Sequence, residues 1–415
     1  MAGMRSPTGD PTGDPAGKPL PVLSSAVPDP AGIGPARRGR LTTGIDSWLV
    51  TRYEEVTAAL TDPRLVMSAP PIEEDLVRRG ALPQRFGSMF QRRSKNLLST
   101  DPPDHTRLRK LVASSFTARR VDNLRTRAEE ICAGLATTMA GEAAAGQPVD
   151  LVRHYAFPLP VMMICELLGV PAGDQEKFRQ WTNAIVFDQG DDASMAAYRA
   201  AVSGLDEYFG TLVDLKRAQP SQDLTSALIA AHDDDGLDSD ELRTMLSLLL
   251  VAGHETTVNL IANSVLTLLR NPDELKVLRT DMDLLPAAVD ECLRLVGPVA
   301  FSSMRFTTTD IELNEQTIPA GEVVSLGLWT ANHDPMQFPD PHRFDITRTD
   351  NAHIAFGRGA HFCIGANLAR MEAQIAIGTL IRRFSSLSLA VPEHELFWRP
   401  ANTRGPVSLP LRLAE

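Results

Sequence analysis

One cysteine of this sequence, Cys363, ends a glycine-rich loop, and a run typical of a helix follows from Ala366. The sulfur is therefore predicted to lie near a helix N-terminus, where unpaired N–H groups and the helix dipole favour an anion. Such a position lowers the pKa of a thiol and presents a thiolate. Gly365 would let a flat ligand approach the backbone closely. A thiolate beneath a flat ligand is what a cysteine-ligated haem needs, because the sulfur pushes electron density toward iron and favours O–O cleavage. On spacing alone, a lone cysteine after glycines is more often a buried core thiol.

A second unusual stretch lies in the middle of a long predicted helix. Asp238 and Glu241 form a capping-box pattern at its start, and Asn271 precedes a proline that ends it. Residues 245–252 are apolar all round, as in a buried helix. Residues 253–257, with the sequence Gly-His-Glu-Thr-Thr, are poor choices for a buried helix. Because violations of local rules tend to mark function, this turn is predicted to carry chemistry.

Two further pairs of residues have helical spacing. His105 and Arg109 are four apart and share one face of a helix that begins near Asp104. They form either a solvated basic face or a site for a carboxylate, which the fork of an arginine suits. Glu291 and Arg294 are three apart, a common ion-pair spacing worth a few tenths of a kcal/mol on a surface.

Composition excludes several classes of protein. The chain has 415 residues and a net charge of −11, so there is no electrostatic case for general nucleic-acid binding. Its four cysteines contain no C-x-x-C pair, which indicates neither a zinc site nor a disulfide framework and fits a reducing cytoplasm. No apolar segment resembles a membrane anchor, so no membrane association is expected.

Length alone would allow two or three domains. Residues 1–30 are polar and rich in Pro, Gly and Asp, and are expected to be a disordered leader. Residues 31–415 are expected to form one unit. Within it, residues 66–98 are expected to be irregular, and the region from Ile311 to Leu328 to form small β-hairpins.

Residues 356–365 match the pattern F-G-x-G-x-H-x-C-x-G at every fixed position. This pattern resembles the haem-binding signature of the cytochrome P-450 superfamily, and the resemblance covers about residues 95–410. It implies a mainly α fold of about a dozen helices with a minor β region. Haem b would be buried between the long central helix and the helix after the cysteine. The chain is similar to soluble actinobacterial enzymes of natural-product biosynthesis and does not resemble the membrane-bound branch.

The resemblance also implies roles for single residues. Cys363 would ligate the iron, and Ala252, Gly253, Glu255 and Thr256 resemble the family's oxygen-activation motif. Thr256 would hydrogen-bond oxygen during its activation, and Glu255 would belong to the proton relay, whereas His254 would be structural or solvent-linked. The implied cofactor-binding residues are His105, Arg109, Ala252, Arg305, Phe356, His361 and Gly365, of which the four basic ones would meet the haem propionates.

A structural triad and a substrate pocket follow from the same resemblance. Glu291, Arg294 and Arg343 would maintain the fold and the haem pocket. The implied pocket residues are Leu248, Val251, Phe301, Ser302, Asn402 and Thr403, with Ser303 beside them. An apolar pocket with some hydroxyl contacts would suit a macrolide or another polyketide.

The implied activity is O2-dependent monooxygenation, by hydroxylation or epoxidation, of a secondary metabolite. Electrons would come from NAD(P)H through ferredoxin reductase and ferredoxin. Arg358 and the segment bearing Arg107, Lys110, Arg119 and Arg120 would form the basic docking patch. Alternatives are a haem-thiolate peroxygenase or isomerase, a terpenoid or aromatic hydroxylase, and a haem-based sensor without turnover. The intact Glu255–Thr256 pair argues against a peroxygenase, and the apparent substrate pocket argues against a sensor.

Overall fold

The computed structural model describes residues 22–23, 33–41, 45–82, 96–144, 146–186, 192–232, 237–314, 316–398 and 402–415. The predicted leader, residues 1–30, lies outside these ranges except for the short strand Val22–Leu23.

Helices dominate the described residues, which confirms a mainly α fold. The α-helices are α1 (Tyr53–Ala59), α2 (Pro70–Arg78), α3 (Asp104–Ala113), α4 (Ala118–Asp122), α5 (Arg125–Ala143), α6 (Pro158–Leu168), α7 (Gln175–Val186), α8 (Asp192–Ala218), α9 (Leu224–His232), α10 (Ser239–Arg270), α11 (Pro272–Thr280), α12 (Leu285–Val296), α13 (Leu328–Ala331) and α14 (Ala366–Arg383). A π-helical turn, Val152–Ala156, precedes α6. We call α10 the central helix and α14 the cysteine helix.

The strands form a minor β region. They are β1 (Val22–Leu23), β2 (Arg37–Leu41), β3 (Asp46–Val50), β4 (Leu65–Val66), β5 (Val149–Asp150), β6 (Arg305–Thr307), β7 (Ile311–Leu313), β8 (Gln316–Ile318), β9 (Val323–Leu326), β10 (Ser386–Leu389) and β11 (Pro410–Ala414). One sheet has the order β1-β2-β3-β9-β6-β4, a second has the order β10-β11-β5, and β7 pairs with β8. Within the large sheet β3 is parallel to β9 and β6 is antiparallel to it, with Val324 facing both Trp48 and Arg305.

The central helix forms where its end signals predict. Asp238 accepts hydrogen bonds from the N–H groups of Asp240 and Glu241, and the Glu241 side chain accepts from the N–H of Asp238. This capping box satisfies donors that the first turn would otherwise leave unpaired. Asn271 ends the helix one residue before a proline.

The central helix is also the core of the molecule. It packs against α6, α12 and the cysteine helix. Among the described residues it is the one helix long and apolar enough to cross a membrane by length and composition. However, 56% of its most apolar window is buried inside the protein, as expected for a core helix.

The expectation that residues 66–98 are irregular is wrong in part, because Pro70–Arg78 is a helix. Proline fits the first helical turn, since its missing N–H has no partner there in any case. Glu73 reaches back to accept the N–H of Ala69 at 2.9 Å. Residues 83–95 of the predicted loop lie outside the described residues.

Candidate active site

The loop before the cysteine helix is shaped by glycines and returns on itself. Gly357 and Gly359 have φ of +71° and +75°, a region that side chains disfavour. A Cβ on Gly359 would lie 2.9 Å from Cγ2 of Thr61. The N–H of Cys363 donates to the carbonyl of Phe356 at 2.9 Å, which fixes the cysteine beneath the turn.

Cys363 differs from the other cysteines. Cys132, Cys165 and Cys292 are buried, whereas Cys363 is exposed. Burial by the surrounding protein nevertheless raises the pKa of the Cys363 thiol, opposed by the N–H of Gly365 and by Arg109 and Arg370. The prediction of a lowered pKa is therefore wrong for the protein alone. A thiol that is both accessible and enclosed borders a space within the protein.

Four basic side chains gather near Cys363. The rings of His105 and His361 are 4.1 Å apart, and Arg109 donates to the carbonyl of Phe362 at 2.7 Å. Arg305 is only 4% exposed, at the start of β6. Burial, together with the neighbouring His105, Arg305 and Arg109, lowers the pKa of His361 to about 4. Burial also lowers the pKa of His105 and of Arg305.

This cluster fits the carboxylates of a haem. The buried Nε2 of His105 and the buried Nε of Arg305 have no hydrogen-bond partner among the described residues. Buried polar groups normally have partners, and crowded basic groups are stabilised by an anion. The accessible thiol could supply the thiolate ligand that such a cofactor requires. At Gly365 an added Cβ would lie 4.0 Å from Sγ of Cys363, so glycine keeps the space beside the sulfur open.

Phe356, in the loop before the cysteine helix, contacts a network of charged side chains. The Arg370 guanidinium lies 4.6 Å from the centroid of the Phe356 ring, and Nε of Arg370 donates to Asp290 at 2.7 Å. Asp290 also pairs with His353 at 3.4 Å. These contacts hold the Phe356 ring against the cysteine helix, and they depend on Arg370 and Asp290, which the sequence pattern does not identify.

The unusual turn of the central helix is open on one side. Val251, Ala252 and Gly253 are exposed, although most of the turns that follow are buried. Thr256 donates its hydroxyl to the carbonyl of Ala252 at 2.8 Å, so both residues lie on one face as predicted. The helix is α-helical from Ser239 to Arg270, including the turn at Gly253. His254 faces the core, fully buried, with its ring against that of Phe157 at 4.6 Å.

Glu255 is held from outside its own helix. The hydroxyl of Thr403, in the segment near the C-terminus, donates to Oε1 of Glu255. This contact places Thr403 against the predicted proton relay, and sequence spacing gives no sign of it because 148 residues separate the two.

The third member of the structural triad is Arg348, not Arg343. Glu291 and Arg294 form a fully buried bidentate pair with both distances at 2.8 Å. Nε of Arg348 donates to Oε1 of the same glutamate at 3.2 Å. The Arg343 side chain is 65% exposed and points to Asp345, and only its carbonyl contacts Arg294. A pattern in sequence cannot distinguish a residue that contributes its backbone from one that contributes its side chain.

The predicted pocket residues fall into two groups. Val251 is exposed, while Leu248, Phe301 and Ser302 are half-buried. The polar groups of Asn402 and Thr403 form hydrogen bonds with other residues of the protein. The Asn402 amide makes two 2.9 Å hydrogen bonds with the backbone of Phe301, and Thr403 binds Glu255.

Of the basic residues predicted to form the docking patch, Arg107 is engaged in an ion pair and the others are exposed. Arg107 pairs with Glu241 at the start of the central helix, so its side chain joins α3 to the central helix. Lys110, Arg119, Arg120 and Arg358 are exposed.

Known proteins share this architecture and sequence. A sequence model of the family described as Cytochrome P450 matches residues 48–394. The vitamin D(3) 25-hydroxylase of Pseudonocardia autotrophica is 45% identical, over 91% of both chains. The mycinamicin IV hydroxylase/epoxidase of Micromonospora griseorubida is 41% identical, over 91% of this chain and 92% of that one. The ligand-free structure of the P450 monooxygenase TamI has a TM-score of 0.78 at 43% identity, over 91% of this chain and 88% of that chain.

These matches extend across the exposed thiol, the basic cluster and the central helix alike. Cytochromes P450 carry haem with an axial cysteine thiolate, use O2 and redox partners, and act on small molecules. The chain belongs to the cytochrome P450 family and is a monooxygenase of that family.

Proposed function

We propose that this monooxygenase hydroxylates or epoxidises a macrolide or a related polyketide, with Cys363 as the axial ligand of haem b. The single observation that carries the site assignment is the accessible Cys363 beside a basic cluster in which two buried nitrogens have no hydrogen-bond partner among the residues that the structure describes. In this assignment His105, Arg109, Arg305 and His361 bind the propionates. Phe356 and Gly365 would contact the cofactor near the thiolate, and Ala252 would contact it from the central helix.

The substrate class is supported by the pocket and by one relative. Leu248, Val251 and Phe301 supply apolar surface, and the hydroxyls of Ser302 and Ser303 supply a few polar contacts. A large apolar molecule with scattered oxygens matches this lining. The relative that acts on mycinamicin IV supports a macrolide. A second candidate, a terpenoid or steroid-like substrate, is favoured by the relative that acts on vitamin D(3).

When bound, the haem supplies the oxidising chemistry, and the thiolate promotes cleavage of the O–O bond. The protein supplies the ligand, a dry pocket and protons. Glu255 is the acid of the central helix closest in sequence to Thr256, whose hydroxyl donates to the carbonyl of Ala252 on the open face. Glu255 would move protons toward this face, and Thr256 would orient them by a hydrogen bond. This pair favours a monooxygenase over a peroxygenase that dispenses with proton delivery.

Electrons would come from a cytoplasmic ferredoxin and an NAD(P)H-dependent ferredoxin reductase. The exposed Lys110, Arg119, Arg120 and Arg358 are basic residues on a protein of net charge −11. A local basic surface of this kind steers an acidic partner even when the whole protein is acidic.

The test uses the purified holoenzyme and two panels of compounds, one of macrolides and one of sterols. Binding near the iron is read as a spin-state change in the absorption spectrum. Turnover with ferredoxin, reductase and NAD(P)H is read as product that contains one added oxygen atom. Macrolide binding and oxygenation are expected. Oxygenation of sterols without any macrolide response would favour the second candidate, and no oxygenation of either panel would contradict both.

A further inference from the structure

Thr403, which the family resemblance places in the substrate pocket, has a different partner in the structure. Its hydroxyl donates to Oε1 of Glu255 in the turn that interrupts the apolar central helix. Glu255 and Thr403 are both half-buried. A hydroxyl committed to this carboxylate cannot at the same time donate to a substrate.

The segment that carries Thr403 is fixed from several sides. Thr403 itself forms a β-bridge with Val299. The amide of Asn402 makes two hydrogen bonds with the backbone of Phe301. The backbone N–H of Arg404 donates to the carbonyl of Pro298 at 2.6 Å. The position of the Thr403 hydroxyl is therefore set in part by the segment that follows α12.

The next residues tie the same segment to the central helix. Nδ2 of Asn263 donates to the carbonyl of Arg404 at 2.9 Å. A Cβ at Gly405 would come within 2.1 Å of Oδ1 of Asn259, so only glycine allows this close approach. The Arg404 guanidinium lies 4.5 Å from the centroid of the Trp329 ring. The contacts at Asn259 and Asn263, one and two helical turns beyond Glu255, hold the segment against the central helix.

A glutamate side chain has several rotamers, and an acid in a proton relay must reach a defined position. Among the described residues Oε1 has Thr403 as its partner, whereas Oε2 has none. One oxygen is thus fixed and the other is left to take up and release a proton.

We propose that Thr403 is a positioning residue that holds Glu255 in place for proton delivery, and that it is not a substrate contact. This role rests on the proposed function of Glu255 in oxygen activation. In this proposal, residues 402–405 position the carboxylate of Glu255 on the central helix.

The test compares Thr403→Val, which is nearly the same shape without the hydroxyl, with Thr403→Ser, which keeps the hydroxyl. The reduced CO spectrum of each holoenzyme is recorded first, to establish that thiolate-ligated haem is intact. The measured quantity is the fraction of NAD(P)H electrons that appears in oxygenated product and not in hydrogen peroxide. Loss of one hydrogen bond predicts about a fivefold lower fraction in Thr403→Val. The valine variant should also show a larger solvent isotope effect, and Thr403→Ser should restore both values toward the wild type.

A second measurement needs no turnover. If the two side chains are in contact, Thr403→Val should lower the thermal midpoint of the holoenzyme more in the wild type than in Glu255→Ala. In the turnover assay described above, Glu255→Ala and the double variant should have the same product fraction.

The outcomes separate the two hypotheses. A normal CO spectrum with an unchanged product fraction in Thr403→Val would overturn the positioning role. A changed substrate dissociation constant with an unchanged product fraction would return Thr403 to the substrate pocket. Absence of the thiolate CO spectrum in the wild type would instead overturn the proposed function itself.

Discussion

Nε of Arg348 donates a hydrogen bond to Oε1 of Glu291 at 3.2 Å, and the Arg348 side chain is only 11% exposed. The Glu291 carboxylate is fully buried and also accepts hydrogen bonds from Nε and Nη2 of Arg294. Three charged groups removed from water in this way stabilise the fold only as a complete set, because a buried charge without its partner is costly. The loop around Arg343 is fixed by its carbonyl, which accepts from both arginines.

Replacement of Arg348 by alanine is expected to destabilise the protein by about 3 kcal/mol, since it removes one donor to the buried Glu291 and the donors to the carbonyls of Pro339, Asp340 and Arg343. Replacement of Arg343 by alanine is expected to change stability by no more than about 0.5 kcal/mol, because its side chain is exposed. Urea unfolding of the two holoenzymes, followed by fluorescence, provides the comparison. Equal losses in the two variants would show that Arg343 belongs to the triad after all.

Replacement of Arg305 by glutamine is expected to speed haem loss about tenfold, because a hydrogen bond to a charged group is worth about 1.5–3 kcal/mol. The measurement is transfer of haem to excess apomyoglobin, followed by absorption. Arg64→Ala is the matched control, since Arg64 pairs on the surface with Asp62. An unchanged rate for Arg305→Gln would remove this residue from the propionate site.

His254 gives a pH dependence whose sign follows from burial. Burial lowers the pKa of His254 from its ordinary value of 6.5 to about 3. Below pH 6.5 the unfolded chain takes up a proton that the folded chain cannot take up until about pH 3. The free energy of unfolding therefore falls as the pH falls through this window, by on the order of 2 kcal/mol at about pH 5 from this group.

His254→Leu should remove that contribution. Neither ring nitrogen has a hydrogen-bond partner among the described residues, so leucine costs no polar contact. We expect the variant to unfold at a higher urea concentration than the wild type at about pH 5, with a smaller difference at about pH 7. Parallel pH profiles for the two proteins would mean that His254 is hydrated or partnered in solution.

Charge reversal at Lys110 and at Arg358 is expected to slow reduction by ferredoxin about tenfold each at low salt, and less at high salt. Arg107→Glu is not a clean test, because Arg107 pairs with Glu241. Arg217→Glu, on α8, is the control for loss of one positive charge. The measurement is stopped-flow formation of the reduced CO complex. Equal slowing by the control would indicate an effect of net charge without a docking patch.

The sequence predicts those features that depend on local signals. The capping box at Asp238 and Glu241 and the proline after Asn271 give the bounds of the central helix. The glycine pattern around Cys363 identifies the thiol that proves accessible. Each of these features depends on residues a few positions apart, whose geometry the helix or turn determines.

Features that depend on distant contacts could not be predicted. Thr403 meets Glu255, and Arg348 meets Glu291, only because separate segments are brought together by the fold. The helix Pro70–Arg78 differs from the predicted irregular segment for another reason, because its two prolines lie in the first turn, where proline is tolerated. The raised pKa of the Cys363 thiol could not be predicted either, because it depends on burial by the surrounding protein, which outweighs the N–H of Gly365.

The most direct test of the account is the absorption spectrum of the dithionite-reduced holoenzyme under CO, for the wild type and for Cys363→Ser. Cys132, Cys165 and Cys292 are buried and remain in both proteins, so they serve as internal controls. A strongly red-shifted Soret band in the wild type that is lost in Cys363→Ser is the predicted result. A wild-type band typical of a neutral axial ligand, or a red-shifted band that survives in the variant, would contradict ligation by Cys363.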